Sequence, residues 1–191
     1  MQRIISVDNL KLYKNKKLQI GLFGGSFDPA HIGHLHLAKN ALEKLNLNEV
    51  WFDVANQNPT KKLHKYSFEE RCGLVLKIIN PYPRLKLLKI EEELNIVLTI
   101  EVVRYLKNIL PEIEFNFLIG ADLASTIHEW DCFEEIMESL KLVIFSRSLY
   151  SNLVKESYAY KKYSKNQRVI FIETEEINIS STEIRNRSKE L

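Results

Sequence analysis

The chain has 191 residues, of which 45% are apolar and 27% charged, and its formal net charge is +2. That length suits one domain, or one domain with a small subdomain, and the apolar share can fill a sizeable core. The weak overall charge argues against a general nucleic-acid binder. No apolar run approaches a membrane span and no secretory apolar region opens the chain, so a cytoplasmic protein without nucleic-acid or membrane partners is expected.

Residues 1–17 end in the basic stretch Lys11-Leu-Tyr-Lys-Asn-Lys-Lys17, which has no clear period and reads as a solvated N-terminal extension to a single domain spanning 18–191. Leu18–Phe23 is a short apolar run ending at Gly24-Gly25, the pattern of a buried strand entering a turn. His31–Leu45 carries Ile32, Leu35, Ala38, Leu42 and Leu45 at helical spacing. Glu49–Ala55 reads as a second strand, and Ser67-x-x-Glu70 is a capping box opening a helix that runs to Ile79, before Pro81 and Pro83. Arg84–Ile90 reads as a strand, and Thr99–Leu110 as a helix stopped by Pro111. Phe115–Gly120 and Lys141–Phe145 are further apolar strands, with a helix near Cys132–Leu140 between them. Arg168–Glu173 is a last strand, followed by a second capping box, Ser180-x-x-Glu183, and a short helix. The two cysteines, Cys72 and Cys132, are far apart in the chain and read as packing residues in a reducing compartment. Strands alternating with helices predict an α/β fold, a Rossmann-like doubly wound parallel sheet, whose ligands bind beyond the carboxyl ends of the strands.

Two segments carry the chemistry. In Gly24-Gly25-Ser26-Phe27-Asp28-Pro29-Ala30-His31-Ile32-Gly33-His34 a buried strand runs into two glycines and then a helix. The glycines let backbone N–H groups approach an anion, and the helix start adds donors and the positive end of a dipole. His31 and His34, three apart, share one face of the first turn. Together these parts suit a polyphosphate. A glycine turn with two capping histidines is the bland alternative, and the His-x-x-His pair has no third ligand nearby to make a metal site. The second segment is Ile179-Ser180-Ser181-Thr182-Glu183-Ile184-Arg185, in which three hydroxyl residues and one guanidinium gather at a helix start. It reads either as another anion cradle or as plain N-capping.

The first segment resembles the G-x-F-D-P-x-H-x-G-H signature of the nucleotidylyltransferase superfamily, and the second its I-S-S-T-x-I-R signature. Three more segments resemble the nicotinate-nucleotide adenylyltransferase branch. They are Trp51-Phe-Asp-Val-Ala-Asn-Gln-Asn-Pro-Thr-Lys-Lys62, Phe117-Leu-Ile-Gly-Ala-Asp122 with Trp130, and Val143-Ile-Phe-Ser-Arg147. That branch usually carries Ser-Tyr-Thr-x-Asp-Thr before a helix. The matching stretch here is Val97–Val102, in which Thr99 remains. The branch's His-Lys pair falls either on Lys61-Lys62 or on His64-Lys65.

The resemblance implies transfer of AMP from ATP to nicotinate mononucleotide, giving deamido-NAD and pyrophosphate, with Mg²⁺ bridging phosphate oxygens. His31, His34, Lys62 and Arg185 would then act on the phosphates. Gly24, Gly25, Ser26, Phe27, Gly120, Asp122, Ser180, Ser181 and Thr182 would join His34 and Arg185 in binding ATP. Asn56, Thr99, Trp130 and Arg147 would meet the acceptor, Trp130 by stacking on the pyridinium ring. Another acceptor, such as phosphopantetheine, or a nucleotide-binding paralogue without catalysis, remains open at this level, as does assembly into a homo-oligomer.

Overall fold

A computed structural model describes residues 3–57, 64–146, 151–175 and 179–187. Seven strands form one sheet in the order β1-β4-β3-β2-β5-β6-β7, and each neighbouring pair is parallel. In chain order these are β1 (Ile4–Ile5), β2 (Gln19–Gly25), β3 (Glu49–Val54), β4 (Leu85–Leu88), β5 (Glu114–Gly120), β6 (Lys141–Ser146) and β7 (Val169–Glu173). The longer helices are α1 (Ile32–Lys44), α2 (Phe68–Ile79) and α4 (Thr99–Ile109). Shorter ones are α3 (Ile90–Leu94), α5 (Ala121–Ala124), α6 (Phe133–Ser139), α7 (Ser151–Glu156), α8 (Tyr158–Tyr163) and α9 (Ser181–Arg187).

From β2 the chain moves outward through β3 and β4, then returns to the other side of β2 with β5 and continues to β6 and β7. The order therefore reverses between β2 and β5, the place where open parallel sheets hold their ligands. Phe23 pairs with Leu118, so the glycine ends of the two strands, Gly24-Gly25 and Gly120, come out side by side.

The strands are buried on both faces, as a doubly wound sheet requires. On one face Ile20, Leu22, Trp51, Phe117, Ile119, Leu142 and Ile144 join residues of α4, α6 and α8 in a single core. On the other, Phe23, Val50, Phe52, Val54, Leu87, Leu118 and Val143 pack with Ala38, Ala41 and Leu42 of α1 and Cys72, Val75 and Ile79 of α2. Side chains alternate between the faces because successive residues of a strand point to opposite sides. The capping box expected at Ser67 forms, with Ser67 Oγ accepting from the Glu70 N–H and the Glu70 carboxylate from the Ser67 N–H.

Three expectations are corrected. Residues 4–13 are not a solvated tail. Ile4 and Ile5 extend the sheet beside β4, Leu10 is 1% exposed, and the Tyr13 ring stands edge-on to Trp51 at 4.9 Å. The Tyr13 hydroxyl and the Trp51 indole N–H both donate to Glu49 Oε2. A two-residue strand is too short to show alternation, and the surrounding lysines hide the apolar anchors. Second, β4 stops at Leu88 and Ile90 begins α3, so the expected strand overran by two residues. Third, Cys72 is buried, which raises its thiol to about 12, whereas Cys132 is exposed, its Sγ accepting from Arg104 Nη2 at 3.9 Å. Replacing Leu10 with alanine should cost about 3 kcal/mol, the scale for deleting a fully buried leucine side chain. The midpoint of urea unfolding measures this, and an unchanged midpoint would remove residues 4–13 from the folded unit.

Candidate functional site

The turn after β2 is built around one strained residue. Phe27 has φ 47°, in the left-handed region, and its ring is 3% exposed between Phe23, Phe52 and His34. No glycine in the described residues has positive φ. The glycines instead make room: a Cβ on Gly25 would meet the Phe27 ring at 3.1 Å, and one on Gly24 the Phe117 ring at 3.1 Å. With the Phe27 ring locked inside, what this residue offers a ligand is its backbone.

His31 is the N-cap of α1. Its Nδ1 accepts from the Gly33 N–H at 3.1 Å, and His34 Nδ1 accepts from the His31 N–H at 3.2 Å. The two rings lie 3.8 Å apart, centroid to centroid. Burial lowers His31 from its ordinary value near 6.5 to about 4, partly countered by the Glu183 carboxylate. His31 is therefore neutral at pH 7. A neutral ring that accepts at Nδ1 carries its proton on Nε2, so each imidazole can donate from that atom.

The second segment lies directly on this turn. Ser181 Oγ donates to the Pro29 carbonyl at 2.9 Å, and Arg185 Nη1 donates to the Asp28 carbonyl and lies 3.9 Å from the Asp28 carboxylate. Ile179 reaches Gly33, since a Cβ built there would stand 3.4 Å from Ile179 Cγ2. Ser180 Oγ caps the Glu183 N–H, Glu183 accepts from the Ser180 N–H, and Thr182 Oγ1 accepts from Arg185 Nη2. The hydroxyls thus dock and cap α9, while the first-turn N–H groups of Ser181 and Thr182 lack an intrahelical acceptor by their position.

Two residues that sequence reasoning passed over hold the site together. The Asp28 carboxylate, 4% exposed, accepts from the Lys65 N–H at 3.0 Å and the Tyr66 N–H at 3.1 Å, besides facing Arg185. Arg71, on α2 and 1% exposed, donates to the carbonyls of Ser26, Ala55, Asn56 and Tyr66. A signal for Arg71 exists in the sequence: it stands four and eight residues before Val75 and Ile79 and so shares their inward face. For Asp28, buried inside a turn, periodicity offers none.

Of the other expected site residues, Gly120 ends β5 and Asp122 lies just past it, exposed, with its carboxylate 2.5 Å from where a Gly120 Cβ would sit. A side chain at 120 would displace that carboxylate. Asn56 follows β3, its N–H held by Glu91 Oε2 at 2.7 Å and its carbonyl by Arg71. Thr99 opens α4, half-buried. Trp130 is half-buried and edge-on to Phe117 at 6.0 Å, the ring whose other neighbour is Gly24. Gly24 and Gly25, paired with Asp53 and Val54 of β3, and the turn that follows them lie at the switch point, and α9 docks on that turn at Asp28 and Pro29. Lys61, Lys62 and Arg147 lie outside the described residues, while His64 and Lys65 lie within them. Among the described residues no group of three or more His, Cys, Asp or Glu could hold a metal ion, and no helix is long and apolar enough to cross a membrane.

The chain is similar to known proteins in sequence and in fold. Residues 22–187 match the model of the cytidylyltransferase-like family. The probable nicotinate-nucleotide adenylyltransferase of Pelagibacter ubique (strain HTCC1062) is 35% identical over 170 residues, covering 89% of this chain and 93% of that protein. The protein of the same name from Clostridium perfringens (strain SM101 / Type A) is 36% identical, with 90% and 87% covered. In fold, the chain is similar to the nicotinic acid mononucleotide adenylyltransferase of Plasmodium falciparum, solved in complex with NaAD, at a TM-score of 0.70 and 23% identity over 88% of this chain and 83% of that one.

Proposed function

Because the chain belongs to the cytidylyltransferase-like family, and its named relatives are nicotinate-nucleotide adenylyltransferases, we propose that it transfers AMP from ATP to nicotinate mononucleotide, a step of NAD biosynthesis. The observation that carries this reading is the contact between the two anion-binding segments, Ser181 on Pro29 and Arg185 on Asp28, at the mouth of β2 and β5.

An oxygen of the acceptor's 5′-phosphate attacks the α-phosphorus of ATP, the bond to the bridging oxygen breaks, and pyrophosphate leaves with those electrons. The chain supplies position and charge rather than a covalent nucleophile. The backbone of Gly24, Gly25, Ser26 and Phe27 lines the polyphosphate, and His31 and His34 donate from Nε2, His34 nearest the α-phosphate. Ser180, Ser181, Thr182 and Arg185 face the β- and γ-phosphates, whose charge Lys62 helps to neutralise. Gly120 leaves space for the Asp122 carboxylate to receive ribose hydroxyls. Asn56, Thr99, Trp130 and Arg147 serve the acceptor, Trp130 through its aromatic face. No described acidic cluster fits a resident metal, so Mg²⁺ is part of the substrate here, carried by phosphate oxygens and water.

The test is a coupled pyrophosphate-release assay with ATP and, in turn, nicotinate mononucleotide, its amide and phosphopantetheine. Release with the nicotinate compound at more than about tenfold the kcat/KM of either rival is expected, a margin of about 1.4 kcal/mol. Binding of ATP without release for any of the three would leave only a nucleotide-binding role.

A further inference from the structure

At the carboxyl end of β3 a buried acid has no hydrogen-bond partner for one of its oxygens. Asp53 is 3% exposed, stands between Gly24 of β2 and Leu88 of β4, and its Oδ1 bonds to nothing among the described residues. A second acid, Glu91 in α3, is 5% exposed and uses Oε2 to accept from the Asn56 N–H. The Asn56 peptide is thus gripped on one side by Glu91 and on the other by Arg71, whose Nη2 donates to its carbonyl at 3.1 Å. Nothing in the phosphate chemistry uses either acid.

We propose that Asp53 and Glu91 are positioning residues, two buried acids at the end of β3 that hold the Asn56 peptide in place for the acceptor. The assignment rests on the reading of Asn56 as an acceptor contact.

The charges around the pair support it. Burial raises both acids, and the charge on Asp53 raises Glu91 further; the Asn56 N–H and Arg71 pull Glu91 down, and Glu101 of α4 pushes it up. Arg71 is the one cation among those groups, and it also faces Asp28 and holds four carbonyls. The flanking strand residues, Gly24 and Leu88, bring no charge. One guanidinium cannot balance two buried carboxylates together with Asp28, so the pair keeps a proton, and its titration belongs to both acids jointly. Losing that proton at alkaline pH leaves two anions in a dry space beside the Asn56 peptide.

Because these acids are raised in the folded state, the stability they confer is present at low pH and lost as pH rises. KM for nicotinate mononucleotide should rise by about tenfold per pH unit once the pair titrates, the limit for one linked proton, while kcat changes less. Asp53→Asn keeps the shape, removes the charge and should flatten that profile. Glu91→Gln keeps an acceptor for the Asn56 N–H and should raise KM less than Glu91→Ala, which should raise it by about tenfold, the scale of one lost hydrogen bond. Hydrogen exchange of the peptide containing Asn56, corrected for the intrinsic pH effect, gives a readout that needs no turnover. Protection should fall with pH in the natural protein and hold in Asp53→Asn. Superimposable pH profiles of KM and of exchange in the two proteins would overturn the proposal. If nicotinate mononucleotide is not a substrate, the exchange measurement still decides on the carboxyl pair, so the two failures are distinct. If Asp53→Asn does not fold, Glu91→Gln takes its place in the exchange experiment with the same expected flattening.

Discussion

Replacing His34 with alanine is expected to lower kcat by about 10²–10³-fold, the effect of removing one preorganised donor from a developing charge. The ring stands 3.8 Å from His31 and 5.0 Å from Phe27, so packing fixes its plane before any ligand arrives. Its Nδ1 is committed to the His31 N–H, which sets the proton on Nε2. Alanine also removes half of the reciprocal cap at the start of α1, worth about 1 kcal/mol. That is too little to unfold a domain of ordinary stability. The loss should therefore appear in pyrophosphate release, while the urea midpoint moves only slightly and KM for nicotinate mononucleotide changes little. Turnover within a fewfold of the natural protein would remove His34 from the phosphate site. A large shift of the midpoint would mean that the ring works mainly as a cap.

The division between what the residues foretold and what they hid follows from the range of each interaction. Helices α1, α2 and α4 and the six strands between Gln19 and Glu173 announce themselves, because an amphipathic period or an apolar run is a local property. The glycine-histidine segment and the serine-rich segment are legible for the same reason: each is a strand or loop running into a capped helix. Their meeting is not local, since Ser181 and Pro29 are 152 residues apart. Strand β1 is hidden because a two-residue strand has no period, and its place beside β4 depends on a partner more than eighty residues away. Asp53 reads as one polar residue in an apolar strand, Trp51-Phe-Asp-Val54. Only the fold shows that it is sealed in beside Glu91, whose own setting is the short helix α3 that follows β4. The sequence also suggested that the glycines bend the turn, whereas Phe27 takes the left-handed conformation and the glycines clear space for rings.

Arg71 is where the greatest loss of stability is expected. Its guanidinium links the end of β2, through the Ser26 carbonyl at 2.9 Å, to the end of β3 and its loop, through Ala55 at 2.6 Å and Asn56 at 3.1 Å. Nε adds the Tyr66 carbonyl at 3.3 Å, and the neighbouring N–H of Tyr66 is held by Asp28. Arg71→Met fills similar volume with no donor. It strands these acceptors in a dry region and leaves Glu91 without the cation that favours its charged form. Breaking such a buried network costs about 3–5 kcal/mol, a large share of the roughly 5–15 kcal/mol that holds a domain together. Arg71→Lys restores the charge but offers a single ammonium where a planar fork reaches four carbonyls, so it should recover only part of the loss. Urea midpoints should fall in the order natural protein, Arg71→Lys, Arg71→Met. In whatever fraction remains folded, KM for both substrates should rise together, because the turn after β2, proposed to face ATP, and the loop after β3, proposed to face the acceptor, share this anchor. If KM rose for one substrate alone, the two loops would be independent and the central place given to Arg71 would be wrong.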